Sequence, residues 1–439
     1  MSIVDEITRL TSAKANIKAA IEAKGVSVPS SAHLDAFPSY VSAISVGGEN
    51  YEDEMISRDF QNWMSGTQLR YSNSRISSIG PYGLAGAVSK NYLSWGTVYS
   101  VSMTFPNVVS IGIYGLAYWS VNASVYLPEV QTIESYAFYQ NASLKTVSAP
   151  KLKVLGTGAF GRCYALKSFS SPNLISIGEG AFRDCYSFTT LNCPNVETLG
   201  AYMLSSTEVS EVEFPHVLSI ASSAFWGAKS LTKAFFAQAT VIGDTAFRDA
   251  SRLANISFPE VSYIGYMGLY GCSALTSLDF PKLVSVSADA FNQCRKVTHV
   301  SFPQLQHVGG GSAFYACYSL ASAYFPKLLD VSNYAFCYCS ELSTIRFDAP
   351  VSLLSYSAFH NCRKLLSVYL LGDSVAKLSD VRVFYSTPIS TYTASTGGVR
   401  GSVFVPLSLL SDYTTATNWV TYSSRIVGLT DEEIAALPI

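Results

Sequence analysis

Apolar and polar positions along most of this chain follow a compound rhythm with more than one period. In LTSLDF (275–280) apolar residues alternate with polar ones, the period of a strand with one face buried. Pro281 then ends that strand, because proline has no N–H to donate to a ladder. Two further apolar positions follow, and an Ala-Phe pair closes the segment (Ala290, Phe291) before a cysteine, Cys294. The next residues open another alternating stretch. The unit reads L-x-x-h-x-h-P-x-h-x-x-h-G-x-x-A-F-x-x-C, with h apolar, and predicts a strand, a turn and a return arm whose Phe fills the interior.

The unit recurs at a fixed interval. Prolines fall at Pro106, Pro128, Pro150, Pro172 and Pro194, each 22 residues after the last. Pro215 comes one residue early, Ala237 takes the next slot, and the beat resumes at Pro259, Pro281 and Pro303. Pro326 comes one residue late, matching the extra glycine of GGGSAF. A second beat runs in phase through Phe138, Phe160, Phe182, Leu204, Phe225, Phe247, Leu269, Phe291, Phe314, Phe336 and Phe359. Two ladders that slip at about the same places define about twelve copies of one turn of a solenoid. No such unit buries its apolar side alone, so the turns must stack on one another. At roughly 4.8 Å per turn, the array is expected to extend on the order of 60 Å.

These residues carry a resemblance. The Pro, the Ile-Gly and the AFxxC of the unit resemble the leucine-rich repeat of the BspA-like (Treponema pallidum) type, over roughly residues 98–371. The resemblance implies a leucine-rich repeat solenoid of 22-residue units with parallel strands on one face. It also implies an adhesive role, since members of that class are mostly bacterial surface and adhesion proteins, with similar repeats in some protists and phages.

The two ends depart from the pattern. Ile3, Ile7, Leu10, Ile17 and Ile21 trace one helical face before Gly25, with Ser2 and Asp5 as a capping pair. Residues 1–46 are therefore expected to form a small helical attachment or oligomerisation module. They also resemble the short module at the head of phage tail and fibre proteins from gut bacteria. Residues 47–97 are expected to be a linker and N-terminal cap, with IGPYGLAGAV (79–88) already half a repeat, and residues 98–375 the repeats. Residues 376–439 are expected to be a C-terminal cap. Within them GSVFVPLSLLSDYTTATNWVTYSSRIVGL (401–429) resembles the closing segment of BspA-like arrays, a strand and then a short helix with Tyr413 and Trp419. Such a cap covers the last open turn and its unpaired edge.

Composition narrows the function classes. The 439 residues are 49% hydrophobic and 14% charged with net charge −2, which argues against nucleic acid or an anionic membrane as partner. With 28 Tyr and 24 Phe there is ample apolar surface to offset ordering entropy. No run approaches the roughly 20 apolar residues that a bilayer requires, so no membrane insertion is expected. Residues 1–30 lack the apolar stretch of a signal peptide, so a native start at Met1 implies synthesis in a cytoplasm.

Candidate chemistry is thin. Cys163, Cys185, Cys272, Cys294, Cys317, Cys339 and Cys362 share one slot, which Asn141, Thr207, Ala228 and Ala250 occupy elsewhere. A position that accepts Cys, Asn, Thr and Ala is a small buried site rather than a metal ligand or nucleophile. The densest group, Cys337 and Cys339 near Cys317 and Cys362, reads as a buried thiol ladder in preference to a zinc site. GTGAFG (156–161) matches a dinucleotide fingerprint, yet the repeat already accounts for both its glycine and its Ala-Phe. Five scattered histidines and the strand pair Glu211 and Glu213 show no catalytic neighbours. No catalytic, cofactor-binding or metal residue is assigned, no cofactor is implied, and the chain is not read as an enzyme.

Surface remains. In each strand the residues flanking the middle apolar position should point outward on a concave sheet. In the N-terminal half these are mainly small hydroxyls such as Ser102, Thr104, Thr146 and Ser148. The second half adds Phe235, His299, Tyr324, Arg346 and Tyr369, residue types that supply binding hot spots, and these are the expected ligand-binding residues. An edge rich in aromatics, including Trp119, Tyr139, Tyr164, Tyr186, Trp226, Tyr270, Tyr318 and Tyr338, is a second candidate. The expected function is a non-enzymatic adhesin, first a phage tail-fibre or receptor-binding protein of the virion. Its expected partners are a bacterial surface protein or glycan and, through residues 1–46, other virion proteins, with a homotrimer as the assembly. The alternatives are a bacterial cell-surface adhesin or an intracellular protein-binding scaffold.

Overall fold

A computed structural model describes residues 70–72, 76–81, 83–84, 100–119, 122–390 and 400–437. The helical module expected at residues 1–46 lies outside these residues. Within them the chain winds into a parallel-strand solenoid of about 14 turns. Nearly every turn begins with a strand of three to five residues, such as Glu211–Glu213, Lys233–Phe235 and Asn255–Ser257, whereas in LTSLDF (275–280), expected to be a strand, only Leu278 forms a bridge, to Val300. A second strand of only two residues follows the proline turn, as in Ser176–Ile177 and Thr198–Leu199. Both kinds pair in parallel with their counterparts one turn away, Glu211 with Lys233 and Lys233 with Asn255 on the long arm, Ser176 with Thr198 on the short arm. The return arm supplies a third ladder: Tyr136, Phe138 and Gln140 donate their N–H groups to the carbonyls of Thr157, Ala159 and Gly161 at 2.7–2.9 Å. With three sides bonded turn to turn, the backbone groups of the interior are satisfied without a hairpin.

Alternation on the long arm is what the sequence pattern demands. Glu211, Val212 and Glu213 read exposed, buried, exposed, and His299, Val300 and Ser301 repeat that order. Inside, wherever consecutive turns both carry the Phe of the Ala-Phe slot, the rings stack: Phe138 on Phe160 at 4.9 Å, Phe225 on Phe247 at 4.9 Å, Phe314 on Phe336 at 5.1 Å, with Leu204 and Leu269 interrupting the column. The residue before proline adds a second column, in which Phe258, Phe280, Phe302 and Phe325 interleave with the first. Burying one such ring is worth roughly 1.5–3 kcal/mol, and each aromatic pair adds about 0.5–1.5 kcal/mol.

Two residues of nearly every turn bend the return arm at positive φ. Tyr136 at 59° and Gln140 at 58° are one pair, and Gly158 at 58° and Arg162 at 60° the next. The repeat glycine has a different role. At Gly156 a side chain would lie 2.5 Å from the backbone of Glu134 and Ser135 one turn away, so glycine permits close approach of the turns there.

The pairing continues beyond the regular beat at both ends. Arg70 aligns with Ser102, a step of 32 residues, and Ser78–Ile79 pairs with Ser110–Ile111, so IGPYGLAGAV begins within a turn of the array. At the other end Ser402–Pro406 stacks on Ser367–Leu370, and a last strand, Ile426–Leu429, stacks on it. Tyr413 lies in the helix Leu410–Thr415, as the sequence suggests, whereas Trp419 opens a separate 3-10 helix, Trp419–Arg425. Both rings and Tyr422 are buried. They cover the edge of the last short strand: the Tyr413 hydroxyl accepts the N–H of Ala376 at 3.0 Å, and Trp419 Nε1 donates to the carbonyl of Ala376 at 2.6 Å. Asn418 Nδ2 donates to the carbonyl of Leu378 at 2.8 Å. Among the described residues no helix is long and apolar enough to cross a membrane.

Candidate binding surfaces

Three surfaces run along the array, and each is fixed by one position of the repeat. On the long-strand face, register places Tyr324, Arg346, Tyr369 and Phe404 opposite one another on four consecutive turns. Tyr369 and Phe404 stack at 4.7 Å with 15° between the planes. The Arg346 guanidinium lies 5.3 Å from the Tyr324 ring centre, and its Nε donates to Asp348 Oδ1 at 2.7 Å. The Tyr324 hydroxyl donates to the other Asp348 oxygen at 2.6 Å. Burial and that bond to a carboxylate raise the phenol's pKa above its ordinary value. Arg346 also reaches the carbonyl of Leu437 at 3.5 Å, and its side chain is only 16% exposed. The group is an organised aromatic and guanidinium row held by one carboxylate.

The sequence-derived residues divide accordingly. Tyr324, Arg346 and Tyr369 come together. His299 stands one turn before Tyr324 in the neighbouring column, exposed, with Nδ1 2.7 Å from Ser322 Oγ. Phe235, 37% exposed, lies four turns upstream, roughly 19 Å away at the usual strand spacing. Asp348 and Phe404 complete the row without having been singled out. Phe404 belongs to the strand after the irregular stretch, where no period points to its partner, and Asp348 lies just beyond the alternating residues.

The return arm carries the aromatic edge. Tyr164 and Tyr186 stack at 5.5 Å and 3°, and Arg162, Arg183, Arg248 and Arg295 lie over the rings of Tyr139, Tyr202, Tyr270 and Tyr318 at 5.5–5.8 Å. Trp119 is a correction to this set. It is buried, with Nε1 donating to the carbonyl of Leu84 at 2.8 Å.

Beneath this edge the cysteine slot has a specific task. Each of its seven thiols points at the carbonyl of the Phe or Leu slot one turn back, from 3.0 Å for Cys185 and Phe160 to 3.4 Å for Cys294 and Leu269. Asn141 does the same with Nδ2 at 2.8 Å from the Leu116 carbonyl, while its Oδ1 accepts the N–H of Trp119 at 2.6 Å. Burial pushes the Cys185 thiol up to about 12, and the others whose pKa moves also rise. Such thiols are hydrogen-bond donors and poor nucleophiles. Among the described residues no group of three His, Cys, Asp or Glu side chains is placed to hold a metal ion. Glu211 and Glu213 are both exposed, and Glu211 pairs with Lys233 at 2.7 Å on the next turn.

The third surface is a groove of about 670 Å³ on the proline-turn edge. The residues one and three past each proline line it, among them Lys151, Lys153, Asn173, Ile175, Asn195 and Glu197. Sequence reasoning passed over it because these positions show no residue-type preference.

An array of 22-residue turns with a proline-terminated strand, a Phe ladder and open side-chain faces is a leucine-rich repeat protein, a class built for binding rather than catalysis. The chain belongs to the BspA type leucine-rich repeat family, whose model matches residues 109–232, 218–331 and 262–390. A leucine-rich repeat protein from Bacteroides ovatus shares the fold, with 18% identity, a TM-score of 0.50, and coverage of 75% of this chain and 92% of the other. A leucine-rich cell surface protein from Faecalibacterium prausnitzii is 20% identical, with a TM-score of 0.39, over 73% of this chain and 92% of the other. A T. pallidum leucine-rich repeat protein is 20% identical, with a TM-score of 0.31, over 41% and 78%. No curated protein is significantly similar to the chain.

Proposed function

We propose that the chain is a non-enzymatic adhesin that contacts a bacterial surface protein or glycan through its solenoid. The observation that carries this reading is the row Tyr324, Arg346, Tyr369 and Phe404, with His299 beside it and Phe235 further along the same face. Aromatic and guanidinium groups that are already positioned lose little conformational entropy on binding. Membership of a family read as mostly surface and adhesion proteins supports the same role.

The narrower form of the proposal places the protein on a phage virion as a tail-fibre or receptor-binding protein, joined to other virion proteins, as a homotrimer, through residues 1–46. It rests on the resemblance of that segment to phage fibre heads. A location on a bacterial cell surface is the competing form, and family membership favours it. The test is binding of the labelled full chain to a panel of intact gut bacteria, beside Tyr369→Ala and a chain lacking residues 1–46. Strain-restricted binding that Tyr369→Ala weakens and the deletion leaves intact supports the adhesin. Absence of binding to every strain overturns it. A trimer that the deletion converts to monomer supports the virion form, and a monomeric full chain counts against it.

A further inference from the structure

The groove on the proline-turn edge has features that the long-strand face lacks. We infer that it is a second binding site, for a linear, uncharged glycan lying along the solenoid axis. The inference rests on the adhesin reading and adds a ligand class and a place.

Its centre is a short asparagine ladder. Asn173 Nδ2 donates to the carbonyl of Pro150 at 2.9 Å, and Asn195 Nδ2 to that of Pro172 at 2.8 Å. Each amide is thereby fixed in orientation one turn from its copy. Every carboxamide keeps an acceptor oxygen and a second N–H, a pair that matches the donor and acceptor of neighbouring sugar hydroxyls. In the column beside the amides, on the turn of Asn173, Ile175 is 43% exposed, an apolar floor for the C–H face of a pyranose ring.

Charge selects against an ionic polymer. Lys151 is neutralised by Glu129, Nζ to Oε2 at 2.7 Å. Among the described residues the side chains of Lys153 and Glu197 have no hydrogen-bonding or ionic partner, and they stand in one column two turns apart, on either side of Ile175. The sum is zero, so a polyanion or polycation gains nothing here, while both groups serve as hydrogen-bonding partners for hydroxyls.

Spacing favours one polymer. Equivalent side chains recur about every 4.8 Å along the axis, whereas the same-face side chains of an extended peptide recur about every 6.6 Å and do not meet single turns. A β-linked pyranose chain advances by close to one turn per sugar with alternate sugars turned over, so every second sugar can meet every second turn in the same way.

The test uses the full chain and β-linked glucose and N-acetylglucosamine oligomers of two to six units, read by calorimetry, with intact-cell binding in parallel. The expected result is affinity that rises with oligomer length and levels off once the groove is filled. Ile175→Lys, an exposed change that leaves the ladder whole, should weaken binding at least tenfold, as should Asn173→Ala with Asn195→Ala. Tyr369→Ala should leave oligomer binding unchanged. Absence of binding to every oligomer, affinity independent of length, or indifference to Ile175→Lys overturns the inference. If cells are bound and Ile175→Lys changes nothing in either assay, the groove assignment fails and the adhesin reading stands. If oligomers are bound and cells are not, the groove assignment stands and the adhesin reading fails.

Discussion

Replacing Phe314 by alanine should cut the array at one place and leave distant turns as they were. The ring is fully buried and touches four others, stacking on Phe291 and Phe336 at 5.1 Å each and packing against Phe302 at 6.2 Å and Phe325 at 5.9 Å. Truncating a buried Phe costs about 3–5 kcal/mol, and of that the two stacked pairs account for roughly 1–3 kcal/mol. In a globular domain this loss would spread over the whole molecule. In a solenoid each turn couples only to its neighbours, so the loss falls on the turns either side of Phe314. Native-state hydrogen exchange, read by peptide, measures that distribution. Opening free energies for peptides covering 299–347 should drop by about 3–5 kcal/mol, and those covering 144–192 should stay within about 0.5 kcal/mol. A uniform drop along the chain, or a local drop below about 1 kcal/mol, would refute the ladder as the source of stability.

Further perturbations address the thiols, the first regular turn and the cap. Burial pushes Cys185, Cys193 and Cys337 from 9.0 up to about 12, so the unfolded chain ionises first. Stability present below pH 9 should therefore be lost as the pH climbs towards 12, seen as a falling urea midpoint that Cys→Ser changes at these positions flatten. Asn141→Ala removes the partners of the Leu116 carbonyl and the Trp119 N–H, and should cost about 1–3 kcal/mol in urea unfolding. Trp419→Ala opens the C-terminal end and should cost about 3–5 kcal/mol. Its signature is fast exchange in peptides covering 377–378 with little change before residue 300, and equal protection in both regions would count against the cap.

The turn of the solenoid was legible because three constraints repeat in phase. Proline after the long strand, Phe in the interior and a small residue before the next turn are each imposed by stacking, so the sequence repeats them. The thiol slot was legible as small and buried. Its task was not, since the accepting carbonyl lies one turn back and no residue marks it. Trp119 misled for the opposite reason: its loop-edge position predicts exposure, but its indole is buried and bonded to the carbonyl of Leu84, a partner 35 residues back that no period marks. The binding faces were legible only as columns. Tyr324, Arg346 and Tyr369 fall together because they share a position, while Phe404 joins them across a step of 35 residues that hides its register. The proline-edge groove left no trace, because its positions accept polar and apolar residues alike.

The central claim is that a solenoid face, rather than a catalytic centre, does the work of this protein. Hydrogen exchange of the full chain, with and without envelope fragments of a strain that it binds, tests that claim directly. The account predicts protection in the strands Ser322–Phe325, Thr344–Phe347 and Ser367–Leu370, lost in Tyr369→Ala. Protection confined to segments outside the repeats, with these strands unchanged, would contradict it.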